Sequence, residues 1–331
     1  MRAAAFELLL LMAVFTFLED RWPSSRAHRW WRRPLLVDLL NWTVHPLSIS
    51  AGLALAVAIT RVLPGELFPD HDWATFSSMR AHVAALPFLA QTAIAIVIAD
   101  LLDYWIHRAY HRFPLLWGFH IVHHTSEELD WLSTSRLHPA SQTLNTAVVG
   151  VTLLSMGLPL PVVVMANVFT GAAALLSHAN VNWTFGPLQH LFVSPLFHQW
   201  HHARIDGNVD GHGVGNYGAI FSIWDRMFGT WSVPKVSRPR CFGVEEAPAP
   251  TVIGLVMHPL RVCLQLFSNT NRAGCNSIPA DCDCVAKKPG QQGVSVQKQG
   301  GRSYRAAANR LRTIPATVID RGGIGGPIRR K

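Results

Sequence analysis

Seventeen of the 331 residues are histidine, and eight of these fall into three tight patterns. The first is His107-Arg-Ala-Tyr-His111. On a helix, a spacing of four puts both imidazoles on one face about one turn apart, where they can share or flank a metal. The second is His120-x-x-His123-His124 and the third His198-x-x-His201-His202. A helical reading of either spreads three imidazoles over a broad face, which suits two neighbouring metal positions. A single zinc site takes about three or four ligands, so eight imidazoles are enough for two ions. Imidazole alone accepts zinc, copper, iron or nickel. The surroundings select iron: two metals beside membrane helices imply chemistry on a lipid, and iron supplies the redox capacity that zinc lacks.

Other residues attach to this set less directly. Asp103 lies one turn before His107 on the same face, with Asp100 close by. A carboxylate there could accept the outer N–H of a ligand imidazole and fix its tautomer, or pair with Arg108 or solvent. His178, in Ser177-His178-Ala179-Asn180, stands at the foot of an apolar run, a costly place for a polar side chain without a partner, and is read as a ninth ligand. His138, before Pro139, is read as a ligand, a second-shell donor or a loop clamp. His28, His45, His71, His82, His190, His212 and His258 have no partner at useful spacing. Competing classes fit worse. A metal transporter places ligands within its membrane helices, bis-histidine haem would leave most of the set unused, and no His-Glu-x-x-His motif of a zinc hydrolase is present.

The elements that must position these residues are membrane helices. The chain is 49% hydrophobic and only 15% charged, with mean hydropathy +0.20, too apolar for an ordinary soluble domain. Ala4–Phe17, Pro46–Ile59, Ala84–Leu102 and Leu144–Leu176 supply the apolar excess, the last broken at Pro159 and Pro161 into a hairpin. The expected fold is therefore an all-α bundle of about four short membrane passes, five if Ala4–Phe17 spans instead of lying in the interface. Basic residues interleaved with Trp30 and Trp31 mark residues 18–44 as cytoplasmic. Two hairpins then return every histidine cluster to that face, as a helical cap. Thr251–Phe267, interrupted by His258, Pro259 and Arg261, reads as an amphipathic surface helix.

Residues 270–331 hold twelve Lys+Arg against three Asp+Glu, which accounts for the net charge of +9. The excess belongs to a tail expected to be disordered and able to touch anionic lipid, not to a nucleic-acid-binding face. Five cysteines, with Cys282-x-Cys284 lacking zinc spacing, form no convincing framework. The resulting division is 1–44, an N-terminal helix and basic loop; 45–240, the catalytic membrane region; 241–269, the amphipathic segment; and 270–331, the tail.

The three histidine patterns, together with Asp103-Tyr-Trp-Ile-His107-Arg, Arg136-Leu-His138-Pro139, His178-Ala-Asn180, Asn216-Tyr-Gly218 and Trp224-Asp225-Arg-Met-Phe228-Gly-Thr230, resemble the fatty acid hydroxylase / sterol desaturase superfamily over roughly residues 45–232. The resemblance implies a membrane di-iron enzyme with its histidines facing the cytoplasm. It would use dioxygen and electrons from a separate cytochrome or ferredoxin-type donor to hydroxylate, or desaturate, a sterol or fatty-acyl lipid. It makes the eight motif histidines metal ligands and strengthens His178. It also casts Trp224 and Phe228 as packing and Asp225 as a structural or second-shell carboxylate.

Overall fold

The computed structural model describes residues 2–26, 35–67, 74–204, 215–233, 238–239, 241–244, 247–249 and 251–269. The basic loop at 27–34, His28, His71, His212, three of the cysteines and the tail from 270 onward lie outside the described residues. Ten α-helices are present among those described: α1 (Arg2–Arg21), α2 (Leu35–Leu67), α3 (Ala74–Ala84), α4 (Phe88–Arg112), α5 (Pro114–His120), α6 (Pro139–Ser155), α7 (Leu160–His178), α8 (Pro195–His201), α9 (Ile223–Met227) and α10 (Val252–Asn269). Short 3-10 turns at His123–Thr125, Trp131–Ser135 and Gly186–His190 link them. Extended pairing among the described residues is confined to two isolated bridges, Pro23 with Val181 and Ala203 with Phe242. The protein is an all-α bundle.

Among the described residues, three helices are long and apolar enough to cross a membrane: Leu35–Val62 within α2, Phe88–Arg112 and Leu160–His178. Two of them differ from the expected passes. The stretch expected to begin at Pro46 belongs to a helix that starts at Leu35 and runs through that proline. Apolar residues continue on both sides of Pro46, and a membrane helix tolerates the lost backbone bond when neighbours re-satisfy the freed groups. The stretch expected to end at Leu102 continues to Arg112, so His107 and His111 ride on the spanning helix itself. It stops there because Pro114 pushes Phe113 into extended backbone, and the same proline opens α5 at its first turn.

α2 and α6 pack so closely that a Cβ on Gly52 would lie 2.6 Å from Thr143 O, and one on Gly150 2.7 Å from Ala56 Cβ. Small residues permit this approach, the usual basis of helix association where burial from water offers little. Ala95 and Ala99 of α4, Val149 and Leu153 of α6, and Val162, Val163 and Ala166 of α7 form the core between the other spans. A second core lies where the histidines emerge: Phe15 of α1 stacks on Trp131 at 5.5 Å, with Leu132, Ala179 and Val181 around them. The buried pair Arg136–Asp38, 2.6 Å apart, ties the first turn of α2 to the segment between the histidine patterns. The expected surface helix is α10. It buries Leu255 against Val37 and Val122, while Ile253, Leu260 and Leu264 stay exposed.

Candidate metal centre

The histidines converge from five elements into two adjoining groups. His107 and His111 of α4, His120 of α5, His124 and His201 form the first; His123, His178, His198 and His202 form the second. Within each group the ring nitrogens lie within 4.8 Å of one another. The two groups touch: the His124 and His202 rings stack at 4.4 Å between centroids. Each three-histidine pattern is divided. His120 and His124 serve one group and His123 the other, while His201 is separated from His198 and His202 in the same way. A turn that changes from α to 3-10 geometry after His120 aims the adjacent pair His123-His124 in different directions.

Backbone carbonyls set the tautomers. His107 Nδ1–H donates to Tyr217 O at 2.9 Å, His201 Nδ1–H to Gly215 O at 2.7 Å and His178 Nδ1–H to Ala174 O at 2.8 Å. A carbonyl only accepts, so each neutral ring keeps its Nε2 lone pair for the interior. There the nitrogens crowd together: Nε2–Nε2 separations are 3.2 Å for His120–His124 and His124–His201, 3.0 Å for His123–His178, and 3.1 Å for His178–His198 and His198–His202. The buried Nε2 atoms of His107 and His111 have no hydrogen-bond partner. Nitrogens bound at right angles to one ion at about 2.1 Å would stand about 3 Å apart, so the donor set fits metal ions. Burial, reinforced by neighbouring imidazoles, holds His120, His123, His124, His198, His201 and His202 well below the usual histidine pKa, so they stay neutral. Neutral imidazole is the form that binds a metal.

Of the carboxylates, Asp103 departs from the sequence expectation, whereas Asp225 has the structural role expected of it. His107 gives its outer N–H to the Tyr217 carbonyl, not to Asp103. Asp100 is the anchoring acid of α4: it accepts from Ile220 N–H, Phe221 N–H and Trp224 Nε1–H. Asp225 accepts from Tyr217 N–H at 2.7 Å, Gly218 N–H at 2.8 Å and the Thr230 hydroxyl at 2.7 Å. Burial pushes its carboxyl pKa up, against the pull of these donors. Both acids thus shape the 215–231 loop, and Tyr217 and Gly215 pass that shape to His107 and His201. Asn216 takes the left-handed backbone there, φ 59°, held by side-chain bonds to Phe197 O and Ser232.

His138 stands outside both groups. Its Nδ1 accepts from Ala140 N–H and its Nε2 meets Val256 O, so both ring nitrogens are taken up in capping α6 and holding α10. That is the loop-clamp alternative and not the ligand. Glu19, Ser24 and Gln199 are residues that the sequence reading does not single out, and they act together with Asn180 of the His178 motif. They join the end of α1 to the segments carrying His178 and His198.

Residues 92–230 match the fatty acid hydroxylase family. The ornithine lipid hydroxylase OlsE of Rhizobium tropici is 28% identical over 91% of this chain and 83% of that protein. An alkylglycerol monooxygenase of Caenorhabditis elegans is 30% identical over 44% of this chain and 28% of its own length. Methylsterol monooxygenase 1 of Danio rerio is 28% identical over 48% of this chain and 51% of its own. The chain therefore spans about half or less of these last two relatives. No solved structure matches the chain. The matched stretch, residues 92–230, contains all nine clustered histidines, so the chain is similar to the fatty acid hydroxylase family in the region that builds both groups, and those groups are consistent with a membrane di-iron site.

Proposed function

We propose that the protein is a di-iron, dioxygen-dependent lipid hydroxylase of the membrane. The observation that carries this is the pair of adjoining groups with five and four neutral imidazoles, set at the ends of helices long enough to span a bilayer. Bound there, two irons would supply the activation of dioxygen needed to break an unactivated C–H bond. One oxygen atom would enter the lipid and the other leave as water, with two electrons from an external cytochrome or ferredoxin-type donor and two protons from solvent.

The chain's own residues bind and orient. His107, His111, His120, His124 and His201 would hold one ion, and His123, His178, His198 and His202 the other. Asp100 and Asp225 fix the loop that aims His107 and His201. Burial of the set excludes bulk water from the oxidising centre. An apolar cleft of about 360 Å³ at the foot of α7, walled by Ala173, Leu176, Phe185, Leu188, Phe192 and Ile220, gives a lipid chain somewhere to lie beside this scaffold. Relatives named as hydroxylase or monooxygenase favour hydroxylation over desaturation, and an ornithine lipid is the first substrate to test.

The proposed topology places the histidine groups on the cytoplasmic face. α6 also crosses, although it has only 17 residues. It starts on the histidine side at His138 and must deliver the chain to the far end of α7, which returns to the histidine side at His178.

Metal analysis and lipid mass spectrometry test the proposal together. Purified protein should carry about two irons, and cells grown under labelled dioxygen should gain one labelled oxygen on one lipid class. Stoichiometric zinc without iron would remove the oxidase reading. Loss of two hydrogens without label would replace hydroxylation by desaturation.

A further inference from the structure

We infer that the end of α1 together with the residues that follow it, Glu19 to Ser25, is a positioning clamp for the second histidine group, so that the two metal positions depend on different parts of the chain. The inference rests on the metal-centre reading and extends it to residues outside the matched region 92–230.

The observations are hydrogen bonds. Glu19 is buried, and its Oε1 accepts from Asn180 N–H at 2.9 Å and from Trp131 N–H at 3.2 Å. Asn180 follows His178 by two residues. Its own side chain is bound on both sides by Ser25, accepting from the Ser25 N–H and donating to the Ser25 carbonyl. Its carbonyl accepts from Ser24 N–H, and Asn182 N–H returns a bond to Trp22 O. Ser24 Oγ–H donates to Gln199 Oε1 at 2.8 Å, and Gln199 Nε2 spans Ala179 O and Val181 O. Gln199 lies between His198 and His201 in sequence.

The links therefore converge on the neighbours of His178 and His198, both in the second group. The first group is held elsewhere: His107 and His201 hang from the 215–217 carbonyls, which Asp225 and Asn216 set. One carboxylate oxygen on α1 fixes the chain direction just after α7 and just before the 3-10 turn at Trp131. Without it, two buried amide N–H groups would lose their acceptor, and the backbone would move to recover partners.

The experiment is metal stoichiometry of the full-length, detergent-purified protein. Wild type should hold about two irons per chain, E19A about one, and E19Q about two, because the amide oxygen still accepts from both N–H groups. Adding His107→Ala to E19A should remove the remaining iron, whereas adding His178→Ala should remove nothing more. Magnetic coupling between the irons, read by Mössbauer spectroscopy, should disappear in E19A and return in E19Q. If E19A does not accumulate as folded protein, S24A should release its second iron at lower chelator concentration than wild type, with the first unchanged. Two irons retained in E19A, equal loss of both, or failure of E19Q to restore the second would overturn the clamp. A wild-type protein without iron would instead overturn the reading on which the clamp rests.

Discussion

At the scale of single residues, the centre depends on atoms that only accept. Tyr217 O and Gly215 O dictate which nitrogen of His107 and His201 faces inward, and Asp225 dictates where the first of those carbonyls stands. Asp225→Ala should therefore lower iron affinity or turnover by about 10- to 100-fold, the usual cost of losing an orienting partner. Asp103→Asn, on the helix face that the sequence favoured, should change either by far less; iron content and turnover of the two variants check this. Acid provides a second prediction. The six buried histidines His120, His123, His124, His198, His201 and His202 have depressed pKa values, so below the ordinary value of 6.5 the unfolded chain binds protons that the folded chain does not. Stability therefore falls as pH drops from 6.5. The melting temperature of metal-free protein should decline steadily through that range, and a flat profile would show these rings to be solvated.

Helices and turns show where the sequence was readable. Clustered histidines announce themselves, so the eight motif histidines and His178 could be picked out as one constellation that the fold brings into two groups, while which member of each triplet joins which group depends on the local turn. Residue type carries no record of backbone acceptors, which is why Asp103 stood where Tyr217 O belongs. Nor does hydropathy mark a helix that continues through a proline or into polar residues, so α2 and α4 both proved longer than their apolar stretches. Nothing in the sequence singles out Glu19, because its partners, Trp131 and Asn180, are more than a hundred residues away. The amphipathic reading of residues 251–267 led to α10, whose outer stripe gives an element-scale prediction. Leu260 is 52% and Leu264 61% exposed, beside a helix end that abuts the start of α2 and the cap of α6. With the native cysteines replaced, a spin label on Leu264→Cys should meet lipid-soluble oxygen more often than a water-soluble nickel chelate. The opposite order would put the stripe in water.

For the molecule as a whole, the bundle has a histidine end and a far end, and α2, α4 and α7 run between them. A cysteine at Ser78, on α3 between α2 and α4, should react with an impermeant reagent from one side of sealed vesicles only, and one at Ser25 from the other side only. Reaction of both from the same side would break the proposed topology. Ending the chain after Asn269 should leave iron content unchanged. One more consequence lies in α4, which contains neither glycine nor proline from Phe88 to Arg112 and so has none of the usual causes of a kink. The same unbroken rod is wedged among the spans at Ala95 and Ala99 and grips the centre at His107. Eight residues separate Ala99 from His107, about 12 Å of helix rise. The rod is in effect a depth gauge: it holds the oxidising centre at a set height relative to the spans, while a lipid sits at a height chosen by the leaflet. On the proposed function, the carbon attacked would then be selected by measurement from the membrane as much as by the shape of a pocket. In bilayers of shorter acyl chains the leaflet thins around an unchanged gauge. The ratio of positional isomers in the product, read by tandem mass spectrometry, should shift along the lipid with thickness, while iron content stays constant.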